Sequence, residues 1–217
     1  GTVMAYGAVP QSLQLPGMDA RGQEFICRAV SLGMGYVLTA GHCVVDVTEL
    51  QVLRGESTYA VQEVELHPGY RVEPDVAAVF DDLAILVVPD LDIPGFPSLL
   101  SRVPELGETL LALGVGLNSE GEFGVPQAGQ VLLSGLTPNH AVSTFKECFA
   151  NPCVGDSGGP LLYQFVDGQG ILQTGIVGIV SSGAFEDCRV GDTSLYTYLS
   201  PERTSFLMSV VPALGVL

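Results

Sequence analysis

The chain has 217 residues, 47% of them apolar and 15% charged, with 27 glycines, 14 prolines and no tryptophan. That length suits one large domain or two small ones packed together, and so apolar a composition excludes a disordered chain. A formal net charge of −16 argues against nucleic acid as a partner, because its phosphates would be repelled; the acidity reads as a solvated surface or as an attraction for basic substrates.

Plentiful Gly and Pro with few charged helical stretches predict an all-β body with many turns. No apolar run reaches the length of a membrane span, and no basic segment followed by an apolar one opens the chain, which reads as a mature form that has lost a leader. In chain order, "FICRAVSL" (25–32), "YVLTA" (36–40), "ELQVLRG" (49–55) and "YAVQEVELH" (59–67) carry β-branched or aromatic residues in partial alternation and predict strands. "LAILVV" (83–88) is a continuous apolar run, as expected of a strand buried on both faces. Residues 89–104 are rich in Pro and Gly and read as a long connection between two sub-domains. Strands follow at 109–116, 130–136, 159–165, 170–183 and 194–199. Only "SPERTSFLMSVV" (200–211) reads as a helix, with Ser200 as N-cap, Pro201 in the first turn and Glu202 toward the N-terminal dipole.

The five cysteines are an odd number. A secreted protein pairs four and leaves one, whereas a cytosolic protein keeps all five reduced. No CxxC spacing occurs and only three histidines are present, which argues against a zinc cluster; no metal and no cofactor are expected.

"CVGDSGGP", Cys153 to Pro160, sets one serine among glycines directly after an acid. These are turn residues, and a surface turn is one reading. The other is a nucleophile, Ser157, with glycines that let backbone N–H groups close around its target. A serine hydroxyl needs a base within hydrogen-bond reach, usually a histidine held by a carboxylate. His42 in "VLTAGHC" ends an apolar strand, His67 precedes a Pro-Gly turn in "LHPGY", and His140 sits in the polar "TPNHA". Asp82 opens the most apolar strand, where its carboxylate needs a strong partner; Asp81 would then point the other way, to solvent.

Together, "TAGHC", "DDLAIL" and "CVGDSGGP", in that order, resemble the trypsin/chymotrypsin family of serine proteases. "HPGY", "IVSSG" and "TSLYTYLS" also sit where that family has them, so the resemblance runs from about Cys27 to the end of the chain. It implies two six-stranded antiparallel β-barrels with the active site between them: approximately 1–95, 105–199, and a C-terminal helix over 200–211, as one peptidase domain over 1–217.

The resemblance assigns Ser157 as nucleophile, His42 as general base and Asp82 as the carboxylate that orients it. It puts the oxyanion hole on the N–H groups of Gly155 and Ser157, and Ser181 beside Asp82. Residues 181–183 (Ser181, Ser182, Gly183) would form the edge along which a substrate lies. It implies disulfides Cys27–Cys43 and Cys153–Cys188, leaving Cys148 as a buried free thiol or a link to another chain or a removed pro-segment. The resemblance implies a specificity pocket with Asn151 at its base, Pro152 beside it, and Gly183 and Ser194 in its walls. A neutral Asn151 removes the main support for Lys or Arg before the cut, although Glu186, Asp187 and Asp192 lie near as rim carboxylates. Asp156 would pair with a new N-terminal amine, for which Gly1 stands in the right place; the alternative is donors within the short 146–152 loop. The calcium-binding loop of some members is cut down between Leu53 and Val61, and the N-terminus "GTVM" departs from the usual "IVGG"-like start.

The expected protein is a secreted or periplasmic serine endopeptidase acting through an acyl-enzyme. Its partners are polypeptide substrates, with a protein inhibitor or pro-segment as further candidates. A latent or catalytically silent homologue that binds protein in the cleft is the alternative.

Overall fold

The computed structural model describes residues 2–3, 11–73, 78–95, 98–116, 127–146, 149–183, 188–212 and 214–216. The N-terminal half contributes β1 (Thr2–Val3), β2 (Ser12–Asp19), β3 (Glu24–Gly33), β4 (Tyr36–Thr39), β5 (Val47–Arg54), β6 (Ser57–Ala60), β7 (Glu63–Leu66), β8 (Arg71–Glu73), β9 (Ala78–Phe80) and β10 (Ala84–Val87). The C-terminal half contributes β11 (Thr109–Gly114), β12 (Gln127–Leu136), β13 (Ala141–Thr144), β14 (Pro160–Val166), β15 (Leu172–Gly183), β16 (Thr193–Tyr198) and helix α1 (Pro201–Val210).

Two antiparallel sheets carry the molecule, and they differ in closure. In the C-terminal half the order is β1-β12-β11-β14-β15-β16-β13, and a further β12–β13 ladder closes six of these strands into a barrel. The short β1 takes the start of β12, at Gln127 and Ala128, which β13 does not reach. The N-terminal sheet, β6-β5-β2-β3-β4-β10-β7, is a half-barrel. Its two edge strands are consecutive in the chain and are joined through Val61 and Gln62. The expected single strand over 59–67 is therefore two: its first part ladders with β5 and its second with β10. β8 and β9 form a separate two-stranded sheet.

Alternation and burial follow the sequence where one face is wet. In β2, Leu13 and Leu15 point inward from alternate positions. The run at 83–88 is buried almost throughout, since β10 is paired on both edges and its side chains join the core with Leu199, Leu207 and Val211. Strand β2 itself went unanticipated because Pro16 and Gly17 argue against a strand. Pro16 lacks an N–H, and it sits opposite Ile26 of β3 in a gap of the β5 ladder, between Gln14↔Leu53 and Gly17↔Leu50. The short β13 and the β8–β9 pair were also not predicted. The connection at 89–104 is irregular, as expected, yet anchored: Leu91, Ile93, Leu99 and Leu100 are buried, and Leu99 bridges to Ile176 and Val216. Helix α1 starts as predicted, with the Ser200 hydroxyl accepting from Arg203 N at 3.4 Å.

Candidate active site

Strand β4 runs into a single helical turn, Gly41–Cys43, that carries His42. The β4–β10 ladder pairs Thr39 with Ala84 and so brings Asp82 against that turn. Asp82 is fully buried. Its Oδ1 accepts from the His42 backbone N at 2.8 Å, and its Oδ2 pairs with His42 Nδ1 at 2.7 Å and accepts from Ser181 Oγ at 2.6 Å. Three donors thus offset the cost of removing the carboxylate from water. An ionised carboxylate only accepts, so Nδ1 carries the imidazole proton and Nε2 keeps its lone pair. Nε2 lies 3.6 Å from Cys43 Sγ. Cys43 is disulfide-bonded to Cys27 with 6.2 Å between Cα atoms, which ties the His42 turn to β3.

Ser157 stands on a tight loop between Cys153 and Gly159. Gly155 and Gly158 have φ of 92° and 81°, conformations that favour glycine. A Cβ on Gly158 would run into the backbone oxygen of Arg28. Ser157 O accepts from Arg28 N at 2.6 Å and Gly158 N donates to Val180 O at 2.8 Å, so the loop is fastened to β3 of one sheet and β15 of the other. The Ser157 hydroxyl donates to Ser181 O at 3.4 Å; among the described residues no hydrogen bond joins it to His42. The Gly155 and Ser157 N–H groups likewise find no acceptor among the described residues. A cleft of ≈ 570 Å³ opens here, with His42 and Phe25 on one side and Gly155, Ser157 and Ser181 on the other.

Asp156, next to the serine, is buried. Its Oδ1 accepts from Val115 N at 2.9 Å and Gly116 N at 2.6 Å, and its Oδ2 from Cys153 N at 3.0 Å. Burial pushes its pKa above the ordinary carboxylate range, while these three N–H groups and the Arg28 guanidinium pull it back. A Cβ on Gly114 or Gly116 would run into this carboxylate. These described donors come from the end of β11 and from Cys153. Gly1, Cys148, Glu186 and Asp187 lie outside the described residues.

Pro152, Ser182, Gly183 and Ser194 also line the cleft, near the Cys153–Cys188 disulfide. Asn151 is set behind them: its Oδ1 accepts from Ser194 Oγ at 2.8 Å and its Nδ2 donates to Asp192 Oδ2 at 3.1 Å. Asp192 is not on the rim. It is 1% exposed, because the β13–β16 ladder, Thr144↔Thr193 and Ser143↔Ser194, draws the start of β16 inward. No local sequence pattern signalled this; "GDTS" reads as a turn.

Asp81 was expected to face solvent. It does not point freely to solvent: its Oδ1 accepts from Arg203 Nε at 2.8 Å. Regular strand begins only at Ala84 and Asp81 has φ of 46°, so strand alternation does not apply to it, and the 4%-exposed Arg203 needs an anion. His67 accepts from Gly69 N at 3.1 Å and packs edge-on against Phe206. His140, expected on a polar loop, is buried and bonds Val79 O through Nε2 at 2.7 Å. Burial lowers the pKa of both rings. The one cluster of metal-ligand type among the described residues, Cys27, His42 and Cys43, has both sulfurs in a disulfide and so offers no thiolate.

A closed antiparallel barrel, a half-barrel, a C-terminal helix and a cleft between the sheets define the chymotrypsin-like class of folds. The chain belongs to the Trypsin family, whose profile matches residues 8–204. It is 29% identical over 219 residues to kallikrein 1-related peptidase b16 of Mus musculus, spanning 82% of this chain and 77% of that protein. It is also 29% identical over 203 residues to trypsin 5G1 of Aedes aegypti, spanning 81% and 71%. A solved structure of HL collagenase superposes with a TM-score of 0.73 at 20% identity, covering 97% of this chain and 96% of that one, a likeness of fold.

Proposed function

We propose that the protein is a secreted serine endopeptidase. The observation that carries the reading is the hydrogen-bonded chain Ser181–Asp82–His42, with the Nε2 lone pair on the cleft that also holds Ser157. Ser157 is the nucleophile. Rotation of its hydroxyl about χ1, away from Ser181 O and toward His42 Nε2, completes the triad when substrate fills the cleft; such bonds are often unformed in empty sites. The serine oxygen attacks the carbonyl carbon of the scissile bond while Nε2 takes its proton. Asp82 holds the ring and stabilises the imidazolium. The N–H groups of Gly155 and Ser157 receive the oxyanion. The proton passes to the leaving amine, and a water activated by His42 then releases the acyl group. Residues 181–183 pair with the substrate backbone as an added strand.

The neutral Asn151 and the Ser194 wall favour medium-sized uncharged side chains before the cut. The two disulfides suit an oxidising, extracellular or periplasmic setting. The partners are polypeptide substrates, and a protein inhibitor or pro-segment would occupy the same cleft.

A fluorophosphonate probe tests the assignment. It should label Ser157, and Ser157→Ala should abolish labelling and lower kcat on the order of 10⁶-fold while the fold persists, with His42→Ala about as damaging. An unlabelled wild type would instead mark a latent or silent homologue.

A further inference from the structure

Asp192 and Asn151 are 41 residues apart, yet their side chains meet at 3.1 Å. Asp192 also accepts from Thr193 N at 2.7 Å. Because a carboxylate accepts and does not donate, it dictates which end of the Asn151 amide faces it. The amide oxygen is thereby turned to Ser194 Oγ, 2.8 Å away, and Ser194 lines the cleft. A buried carboxylate thus stands two hydrogen bonds behind the cleft wall, in a region where water does not screen it.

We propose that Asp192 is the residue that positions Asn151 and sets charge selectivity in the specificity pocket, rejecting acidic side chains before the cut while admitting their neutral isosteres. The inference rests on the serine endopeptidase reading and adds to it a determinant that does not itself touch substrate. The same contact accounts for an amide at 151: a carboxylate there would face Asp192 at about 3 Å, where two like charges cannot both be held cheaply.

Glutamine and glutamate are the diagnostic pair, being alike in size and different in charge. The experiment measures kcat/KM for peptides that differ only in Gln or Glu before the scissile bond. The ratio within one variant does not depend on how much of the sample is folded. The wild type should prefer Gln by about 100-fold, and Asp192→Asn should lower that preference about tenfold or more. The swap N151D/D192N, which keeps one carboxylate and one amide in contact, should restore the ratio to within about threefold of wild type. A wild-type ratio near one, or an unchanged ratio in an Asp192→Asn enzyme that still labels at Ser157, overturns the proposal and leaves the endopeptidase reading standing. If Asp192→Asn does not fold, the swap decides: a ratio near wild type supports the proposal and a lost preference overturns it. A wild type that does not label at Ser157 removes the endopeptidase reading and this proposal with it.

Discussion

At Asp82 a fully buried carboxylate is held by three donors on two distant segments: the backbone and ring of His42, and the Ser181 hydroxyl. Each donor contributes twice, by lowering the cost of burial and by fixing the ring that faces Ser157. Ser181 is the member whose removal separates these roles, since it touches Asp82 and not the imidazole. Ser181→Ala should cost about 1.5–3 kcal/mol of stability, the usual worth of a hydrogen bond to a charged group. It should also slow fluorophosphonate labelling without abolishing it, because His42 keeps both of its own bonds to Asp82. Urea denaturation and labelling rates measured side by side check this; unchanged stability would mean that water replaces the hydroxyl.

The element that assembles the site is the loop from Cys153 to Gly159, fastened to β3 at Ser157 O and to β15 at Gly158 N. It couples the two sheets, so its backbone conformation sets where Ser157 lies relative to His42. Gly158→Ala is the sharp probe. A left-handed φ costs a non-glycine residue about 1–2 kcal/mol, and here the added Cβ also collides with the Arg28 backbone, which has no rotamer to escape into. We expect the variant to lose stability beyond that strain and to lose labelling at Ser157 as the loop moves off β3. A folded variant with wild-type labelling would show that β3 yields instead. The Cys27–Cys43 bridge supports the facing element. With its cysteines separated by 16 positions in sequence, it contributes about 3 kcal/mol in the chain-entropy account and holds the His42 turn to the same strand β3.

For the molecule as a whole, pH acts through groups placed by tertiary packing. His67 and His140 have pKa values lowered by burial, so the unfolded chain takes up protons before the folded one does. Their contribution is fully present above about pH 6.5 and is lost as the pH falls below it. Asp156 acts in the opposite sense. Its pKa is raised by burial, so its contribution is greatest in acid and declines as the pH rises past about 4. Between pH 7 and 5 Asp156 acts to raise Tm as the pH falls, while the two histidines contribute a downward slope. His140→Gln, which retains a donor for Val79 O, should flatten that slope, whereas equal slopes in the variant and the wild type would exclude His140 as its source.

The strands at 25–32, 36–40, 83–88 and 109–116 and the helix after Ser200 were legible because apolar periodicity and capping are local properties of the chain. The disulfide partners and the family were legible because "TAGHC", "DDLAIL" and "CVGDSGGP" are short and specific. Contacts between distant segments were not. Strand β2 carries a proline that only a gap in its ladder tolerates. Asp81 was turned to Arg203, 122 residues away, and His140 was buried against β9. Asp192 became the hidden partner of Asn151 through the register of β16 on β13. A sequence determines which side chains are available and which local conformations are cheap. Whether a carboxylate meets water, a guanidinium or an amide depends on which strands pair, and in what register, and that is decided only when the two sheets pack.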